Sequence, residues 1–303
     1  MADAPDPELG NAGTPEERRT GLGGSDAPIA LGISPWRSPL DLWEEKTGRA
    51  PPNEQNEPML WGHLLEDVIR REYARRTGFE VTYRKEMIRH PARPWQFVHL
   101  DGEVGQDGKR ILEVKSTRTG QGWGEPETAE VPQHYLAQVH HAMTVTGAEI
   151  VDIAVLIGGQ DFRIYRVERD IEIEQFLIER EAQFWEHVTR DEPPGPSNMR
   201  DAMRRWGHFD AQGYVVAGDA EIACVRTLRD IHRRQKELEE MEEGAKTALM
   251  QVLGANGASL VHPDGELLCT WKLDNGRKAF SVAAKPPARR FVVKYTEAAD
   301  AGV

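Results

Sequence analysis

At 303 residues, with 39% hydrophobic and 29% charged side chains, the chain can build one large domain or a domain with an appendage. Its formal charge of −12 argues against a uniformly basic, nucleic-acid-coating protein, although a local basic channel is compatible with it because phosphate contacts depend on local charge. No apolar run approaches the roughly 20 residues that span a bilayer, and Cys224 and Cys269, without zinc-type spacing, fit reduced thiols in a cytoplasmic protein.

Residues 1–17 lack an apolar signal segment and read as a disordered lead-in. GGSDAPIALGIS then predicts a turn and a short helix capped by Ser25 or Asp26. SPLDLWEEKTG predicts a second short helix ending at Gly48. From Met59 to Arg76, apolar Met59, Leu60, Leu64, Leu65, Val68, Ile69 and Tyr73 recur at helical spacing, and Gly78 stops the helix. FEVTYRKEMIRH, WQFVHLD and KRILEVKS read as strands, followed by a helix from Pro132 to Thr146. EIVDIAVLIGG and DFRIYRVER form a hairpin turning at Gly158 to Asp161, and IEIEQFLIEREAQFWEHVTR is an amphipathic helix.

This order predicts a mixed α/β core over residues 18–190, of α+β type with helices flanking a central sheet. DEPPGPSN, residues 191–198, reads as a linker. Residues 199–303 then carry a long helix over Asp219 to Leu253 with a thin apolar stripe. A β-hairpin follows, turning near Asp274-Asn275-Gly276, and FVVKY is a candidate further strand. That stripe also suits helix pairing between subunits or with a partner protein.

The chemistry-bearing residues lie in the first part. In ILEVKST, strand periodicity puts Glu113 and Lys115 on one face, and Leu112 and Val114 on the other. The turn-rich DGEVGQDGKR returns Glu113 to the neighbourhood of Asp101. Oxygen ligands from Asp101 and Glu113 suit Mg²⁺, and Lys115 suits orienting or deprotonating an attacking water, as metal-dependent phosphodiester cleavage requires. The bland alternative is a solvated Glu-X-Lys surface pair. Glu66, Gln138, and the glycine-flanked Arg19 and Ser25 are placed to converge on the acidic pair. His134, His140 and His141 lack a metal-binding arrangement and read as packing or DNA-backbone-contact residues. Trp36 and Trp61 read as core or cap aromatics, or as platforms for a terminal base.

From Arg18 to Glu181 the chain resembles the YqaJ-like viral recombinase family, relatives of phage lambda exonuclease within the PD-(D/E)XK nuclease superfamily. The resemblance is carried, in the family's order, by RRTGLGGSDAPIALGISPWRSPLDLWEEKTG, WGHLLED, DGEVGQDGKRILEVKS and YLAQVHHAM. It implies a PD-(D/E)XK restriction-endonuclease-like core. It implies Asp101, Glu113 and the Val114 carbonyl as metal ligands, with Glu66 supporting the cluster directly or through water. Lys115 is then the water-positioning residue or base, and Gln138 holds the lysine and the scissile region. Ser25 and an arginine, Arg18 or by its spacing to Gly21 Arg19, grip the phosphate of a DNA end. Leu100 stands where the superfamily's name has proline.

The resemblance further implies two Mg²⁺ ions with Mn²⁺ as a substitute, and 5′-to-3′ digestion of double-stranded DNA from its ends. It implies 3′ single strands handed to a single-strand annealing protein, a ring-like homo-oligomer such as a trimer, and a phage or prophage protein in a bacterial cytoplasm. The alternatives are an endonuclease on the same scaffold, or a non-catalytic DNA-binding recombination scaffold.

Overall fold

The computed structural model describes residues 14–50, 56–207, 213–254, 257, 259–273 and 289–293. The chain divides into two compact units, Met1–Asp210 and Ala211–Val303. The centre of the first is a five-stranded sheet made of β1 (Val81–Thr82), β4 (Gly102–Val104), β5 (Arg110–Thr117), β6 (Ile150–Ile157) and β7 (Asp161–Glu168), in that spatial order. A separate two-stranded ladder pairs β2 (Ile88–Arg89) with β3 (Phe97–Val98). Among the described strands of these two sheets, every pairing is antiparallel except β5 with β6, which run parallel. Parallel neighbours need a long crossover, and α5 (Gln133–Thr146) supplies it.

The helices cover both faces of β5. Leu112, Val114 and Ala154 pack beneath Ile69 and Tyr73 of α4 (Glu57–Thr77). On the opposite face Ile111, Ile153 and Val155 pack with Val139 and Met143 of α5. Glu113 and Lys115 share the parity of Ile111, so they lie on the α5 side of the sheet. Fully buried side chains such as Ile69 and Met143 contribute roughly 1.5–3 kcal/mol each. α4 is capped by Asn56, whose side chain accepts the Met59 N–H at 3.0 Å, and it ends at Gly78 in the left-handed region at φ 72°.

A third cluster gathers the N-terminal helices α1 (Pro15–Arg19), α2 (Ala27–Ala30) and α3 (Pro39–Lys46), with a 3₁₀ turn at Gly24–Asp26. Leu22, Ile29, Leu40, Leu42 and Trp43 pack there with Phe184 of α6 (Ile171–Thr189).

Several local expectations change. Within the expected lead-in, Thr14 and Glu17 form a capping box that starts α1; residues 1–13 lie outside the described residues. FEVTYRKEMIRH is two short strands in different sheets, because β1 pairs with β4 whereas β2 pairs with β3. The apolar stripe of α4 is half used: Ile69 and Tyr73 are buried, but Met59, Leu64 and Val68 are exposed. Trp36 and Trp61 are exposed as well, so neither is a core residue.

Contacts also continue past the segment read as a linker. α7 (Met199–Trp206) returns to α3: buried Asp201 accepts the Ser38 hydroxyl at 2.9 Å, and Arg204 donates to Asp41 at 2.7 Å. The first unit therefore runs on to residue 210. In the second unit, α8 (Asp219–Leu253) precedes an antiparallel sheet ordered β10 (Arg289–Val293), β9 (Leu267–Leu273), β8 (Ser259–Val261). The expected turn at Asp274-Asn275-Gly276 lies outside the described residues. Among the described residues no helix is long and apolar enough to cross a membrane.

Candidate active site

Asp101 immediately precedes β4, whose ladder pairs Gly102 with Leu112. One step further along that register sets Asp101 across from Glu113, and cross-strand neighbours share a face. The turn-rich hairpin thus brings the two carboxylates together. Asp101 Oδ2 accepts the Val114 N–H at 2.7 Å. Since the N–H and C=O of a strand residue leave by the same edge, the Val114 carbonyl faces the same side.

Buried Glu113 is held from two directions. Lys115 Nζ pairs with Glu113 Oε1, and Gln138 Nε2 of α5 donates to the same oxygen at 2.5 Å. The Lys115 ammonium also lies 5.3 Å from the centre of the Tyr135 ring. α4 brings Glu66 toward the pair, where Arg70 joins the parts: its Nη2 donates to Glu66 Oε1 at 2.8 Å and its Nε to the Asp101 carbonyl oxygen at 2.8 Å.

The glycine-rich turn sits against the same helix. A Cβ on Gly24 would stand 3.4 Å from Gln138 Cγ, so a larger residue would press on the side chain that holds Glu113. Ser25 is exposed at this turn and does not cap α2. Asp26 is tied down instead: its Oδ2 accepts the Gly23 N–H at 3.0 Å and the buried Lys46 ammonium at 2.6 Å. Burial disfavours the Asp26 charge, yet Lys46 and Arg18 hold its carboxyl below the ordinary aspartate value. Arg18 Nη2 stands 3.6 Å from Asp26 Oδ1, whereas the Arg19 guanidinium lies beside Gly48. The structure therefore brings Arg18, not Arg19, to the turn.

Electrostatics single out the carboxylate pair. Burial pushes the Asp101 carboxyl well above the usual range, Glu113 beside it adds to the rise, Lys115 opposes it and Glu66 adds further. Burial works against the Lys115 charge, but Glu113 and Asp101 outweigh it and push the ammonium up to about 12. In this arrangement Lys115 is a cation that donates a hydrogen bond to Glu113.

The donor set is entirely oxygen, which suits a hard divalent cation. Among the described residues no three Asp, Glu, His or Cys side chains form a ready cage. Lys115 and Gln138 occupy Glu113 Oε1, and Arg70 occupies Glu66. The residues nonetheless fit a cation in kind and in charge. Asp101, Glu113 and the Val114 carbonyl converge, and a positive ion would relieve the like-charge crowding that raises Asp101.

His141 has structural partners. His141 Nδ1 lies 2.9 Å from Glu181 Oε1 and Nε2 lies 2.9 Å from the Phe97 carbonyl, while Gln96 donates to Glu181 Oε2 at 2.7 Å. A carboxylate and a carbonyl are both acceptors, so both ring nitrogens carry protons and His141 is an imidazolium. His140 is buried, and His134 meets Trp36 edge-on at 4.9 Å. Three contributors escape sequence reasoning. Arg70 is signalled only by its spacing of four from Glu66 and Tyr135 only by its spacing of three from Gln138; Lys46 gives no local signal.

Comparison with known proteins agrees with this region. Residues 16–149 match the YqaJ-like viral recombinase domain. Protein YqaJ of Bacillus subtilis (strain 168), itself uncharacterized, is 40% identical over 172 residues, which are 56% of this chain and 53% of that protein. The chain thus spans about half the length of that relative. Among solved structures, an alkaline exonuclease (LHK-Exo) from Laribacter hongkongensis is similar at a TM-score of 0.47 and 19% identity, over 65% of this chain and 97% of that one. A phage-related exonuclease from Haemophilus somnus 129PT is similar at a TM-score of 0.43 and 13% identity, over 59% of this chain and 99% of that one.

Proposed function

We propose, from the match of residues 16–149 to the YqaJ-like viral recombinase domain, that the chain is a Mg²⁺-dependent exonuclease acting on the ends of double-stranded DNA. One observation carries the reading: Asp101 stands across from Glu113 on a sheet face where Lys115 and Gln138 both hold the Glu113 carboxylate.

Asp101, Glu113 and the Val114 carbonyl would hold the cation, with Glu66 supporting it directly or through water. A divalent cation bound there supplies the charge that acidifies an attacking water and offsets charge building on the phosphate. Gln138 fixes Glu113 so that its second oxygen stays turned toward the cleft. Lys115, held protonated, points its N–H groups at the attacking water and at the phosphoryl oxygens, where they stabilise the transition state more than the ground state. Ser25, on the turn that touches Gln138, and Arg18 of α1, which reaches Asp26 of that turn, hold the terminal phosphate. This makes Lys115 an orienting cation in place of a base.

The same reading includes 5′-to-3′ polarity, 3′ single strands passed to an annealing protein, a ring-like oligomer and a cytoplasmic site of action in a bacterial host. Its support is the resemblance of the motifs in their order. The test is digestion of linear duplex labelled at either 5′ or 3′ ends, beside a covalently closed circle, with Mg²⁺ or EDTA. Early release of the 5′ label with the circle intact is expected. An opened circle supports an endonuclease instead, and end binding without cleavage in Mg²⁺ or Mn²⁺ supports a scaffold.

A further inference from the structure

We infer that Trp36 is the platform on which the terminal base of a DNA end stacks while its strand is held for cutting. The inference rests on the nuclease reading above and adds a contact to the base, which neither the carboxylates nor the glycine-rich turn supplies.

Trp36 lies between α2 and α3, and it is 66% exposed. Single apolar residues on a surface are ordinary; the neighbours of this one are not. Its indole is centred 4.9 Å from the His134 ring, His134 is 4.1 Å from the Tyr135 ring, and the Lys115 ammonium lies 5.3 Å from Tyr135. Three rings thus run in file from solvent to the lysine that pairs with Glu113. Burial, and then the Lys115 charge, lower His134 below its ordinary value, so the middle ring is neutral near pH 7. His134 also lies one turn of α5, about 6 Å, before Gln138, which bonds Glu113 and lies against Gly24 of the glycine-rich turn.

The indole is presented for stacking. The Trp36 and His134 planes stand at 83°, and an edge-to-face contact leaves at least one indole face open. The segment is exposed yet pinned. The Ser34 N–H donates to the Pro28 carbonyl at 3.0 Å, and Ser34 Oγ accepts the Trp36 N–H at 3.3 Å and the Arg37 N–H at 3.4 Å. Arg37 Nη2 pairs with buried Glu45 at 2.6 Å, and the other Glu45 oxygen lies 3.9 Å from Arg18 Nε. One carboxylate therefore ties the Trp36 segment to the arginine assigned to the terminal phosphate. A ring fixed before binding loses little freedom when a ligand stacks on it.

These features select the chemistry of the ligand. Every base has a π-face, so stacking holds an end without reading its sequence. An enzyme that removes successive nucleotides meets all four bases in turn, and a sequence-blind contact suits it. Trp61, 56% exposed on α4, makes no ring contact among the described residues and serves as the control.

The test uses the full chain and short duplexes with one blunt end, the other closed by a hairpin loop. Binding is read by fluorescence anisotropy in Ca²⁺, with the terminal pair either intact or replaced by two abasic nucleotides. The parent should bind the intact end roughly 5- to 100-fold more tightly. Trp36→Ala should bind both ends alike, at the parent's affinity for the abasic one, and Trp36→Phe should restore most of the preference. Trp61→Ala should keep the parental ratio. Circular dichroism checks that each variant is folded. A parent indifferent to the abasic end overturns the inference, as does a Trp36→Ala variant that keeps the parental ratio. Equal loss of affinity for both ends also overturns it, because Trp36 then supports its segment without touching a base. Failure of the nuclease reading is seen separately, as a parent that leaves linear duplex uncut in Mg²⁺.

Discussion

Replacing Asp101 by asparagine should make the protein inactive and more stable. The asparagine side chain is isosteric and keeps an oxygen to accept the Val114 N–H, so the β4–β5 register survives. What disappears is a buried negative charge beside Glu113 and Glu66. At a cross-strand separation of about 5 Å and an effective dielectric near 20, each unit-charge interaction is worth about 3 kcal/mol. Repulsion from Glu113 and attraction to Lys115 are therefore of similar size and nearly cancel. Repulsion from Glu66 and the burial penalty remain, so loss of the charge should stabilise by about 1–2 kcal/mol, or about 2–8 °C in melting midpoint for a unit of this size.

The sign with pH follows. The folded carboxyl titrates above its unfolded value, so the folded state binds the proton more tightly and stability falls as pH rises through that range. The asparagine variant lacks this decline, and its advantage should grow from pH 4 to pH 8 in EDTA. Mg²⁺ should reverse the ranking, since a ligand at a hundred times its Kd stabilises the parent by about 2.7 kcal/mol and the variant much less. Urea melts at several pH values, with EDTA or Mg²⁺, measure all of this. A variant less stable than the parent at pH 8 in EDTA, or equal stabilisation of both by Mg²⁺, refutes the reasoning.

Four further outcomes are expected. Lys115→Ala or Glu113→Ala should lower Mg²⁺-dependent digestion of linear duplex by at least about 10²-fold with unchanged circular dichroism; full activity in both would remove the site assignment. Gln138→Leu, which deletes a hydrogen bond to a charged oxygen, should lower kcat by about 10- to 100-fold while KM for DNA ends holds, measured by steady-state kinetics. Arg18→Ala should raise KM for 5′-phosphorylated ends more than Arg19→Ala does, and the opposite ranking would return the role to Arg19. His141→Ala should cost about 3–5 kcal/mol by stranding buried Glu181. Burial opposes the His141 charge, but Glu181 wins and raises the ring above its ordinary value. Its contribution is full below about pH 6.5 and fades as pH climbs through the raised value, which urea midpoints across pH 6–9 can follow.

The sequence discloses elements where one chemical rule dominates. β5 to β7, α5 and α6 follow from strand and helix periodicity with glycine and proline at their ends, and Glu113 lies on the predicted face. It is less informative wherever a choice depends on distant chain. Arg18 and Arg19 are adjacent and alike, and only the fold shows that Asp26 and Glu45 draw Arg18 while Arg19 turns to Gly48. FEVTYRKEMIRH has strand composition throughout, yet the two short strands in it find partners in separate sheets. Lys46 reads as an ordinary last-turn lysine, but its ammonium is buried between Asp26 and the Arg18 carbonyl. Propensity is local; these outcomes are set by tertiary packing.

The return of α7 to α3 changes how the molecule can be divided. A cut inside the proline-rich segment at residues 191–198 looks harmless, but it would strip Asp41 of Arg200 and Arg204, and Ser38 of Asp201. Ser38 and Asp41 form the box that starts α3, and α3 carries Lys46, which anchors the glycine-rich turn beside Gln138. A truncation after Thr189 should therefore loosen DNA-end capture through a chain of contacts that begins far from the carboxylates. Limited proteolysis should find its first durable fragment ending beyond Trp206, and that is the boundary at which the first unit can be borrowed for fusion or transplanted onto another partner.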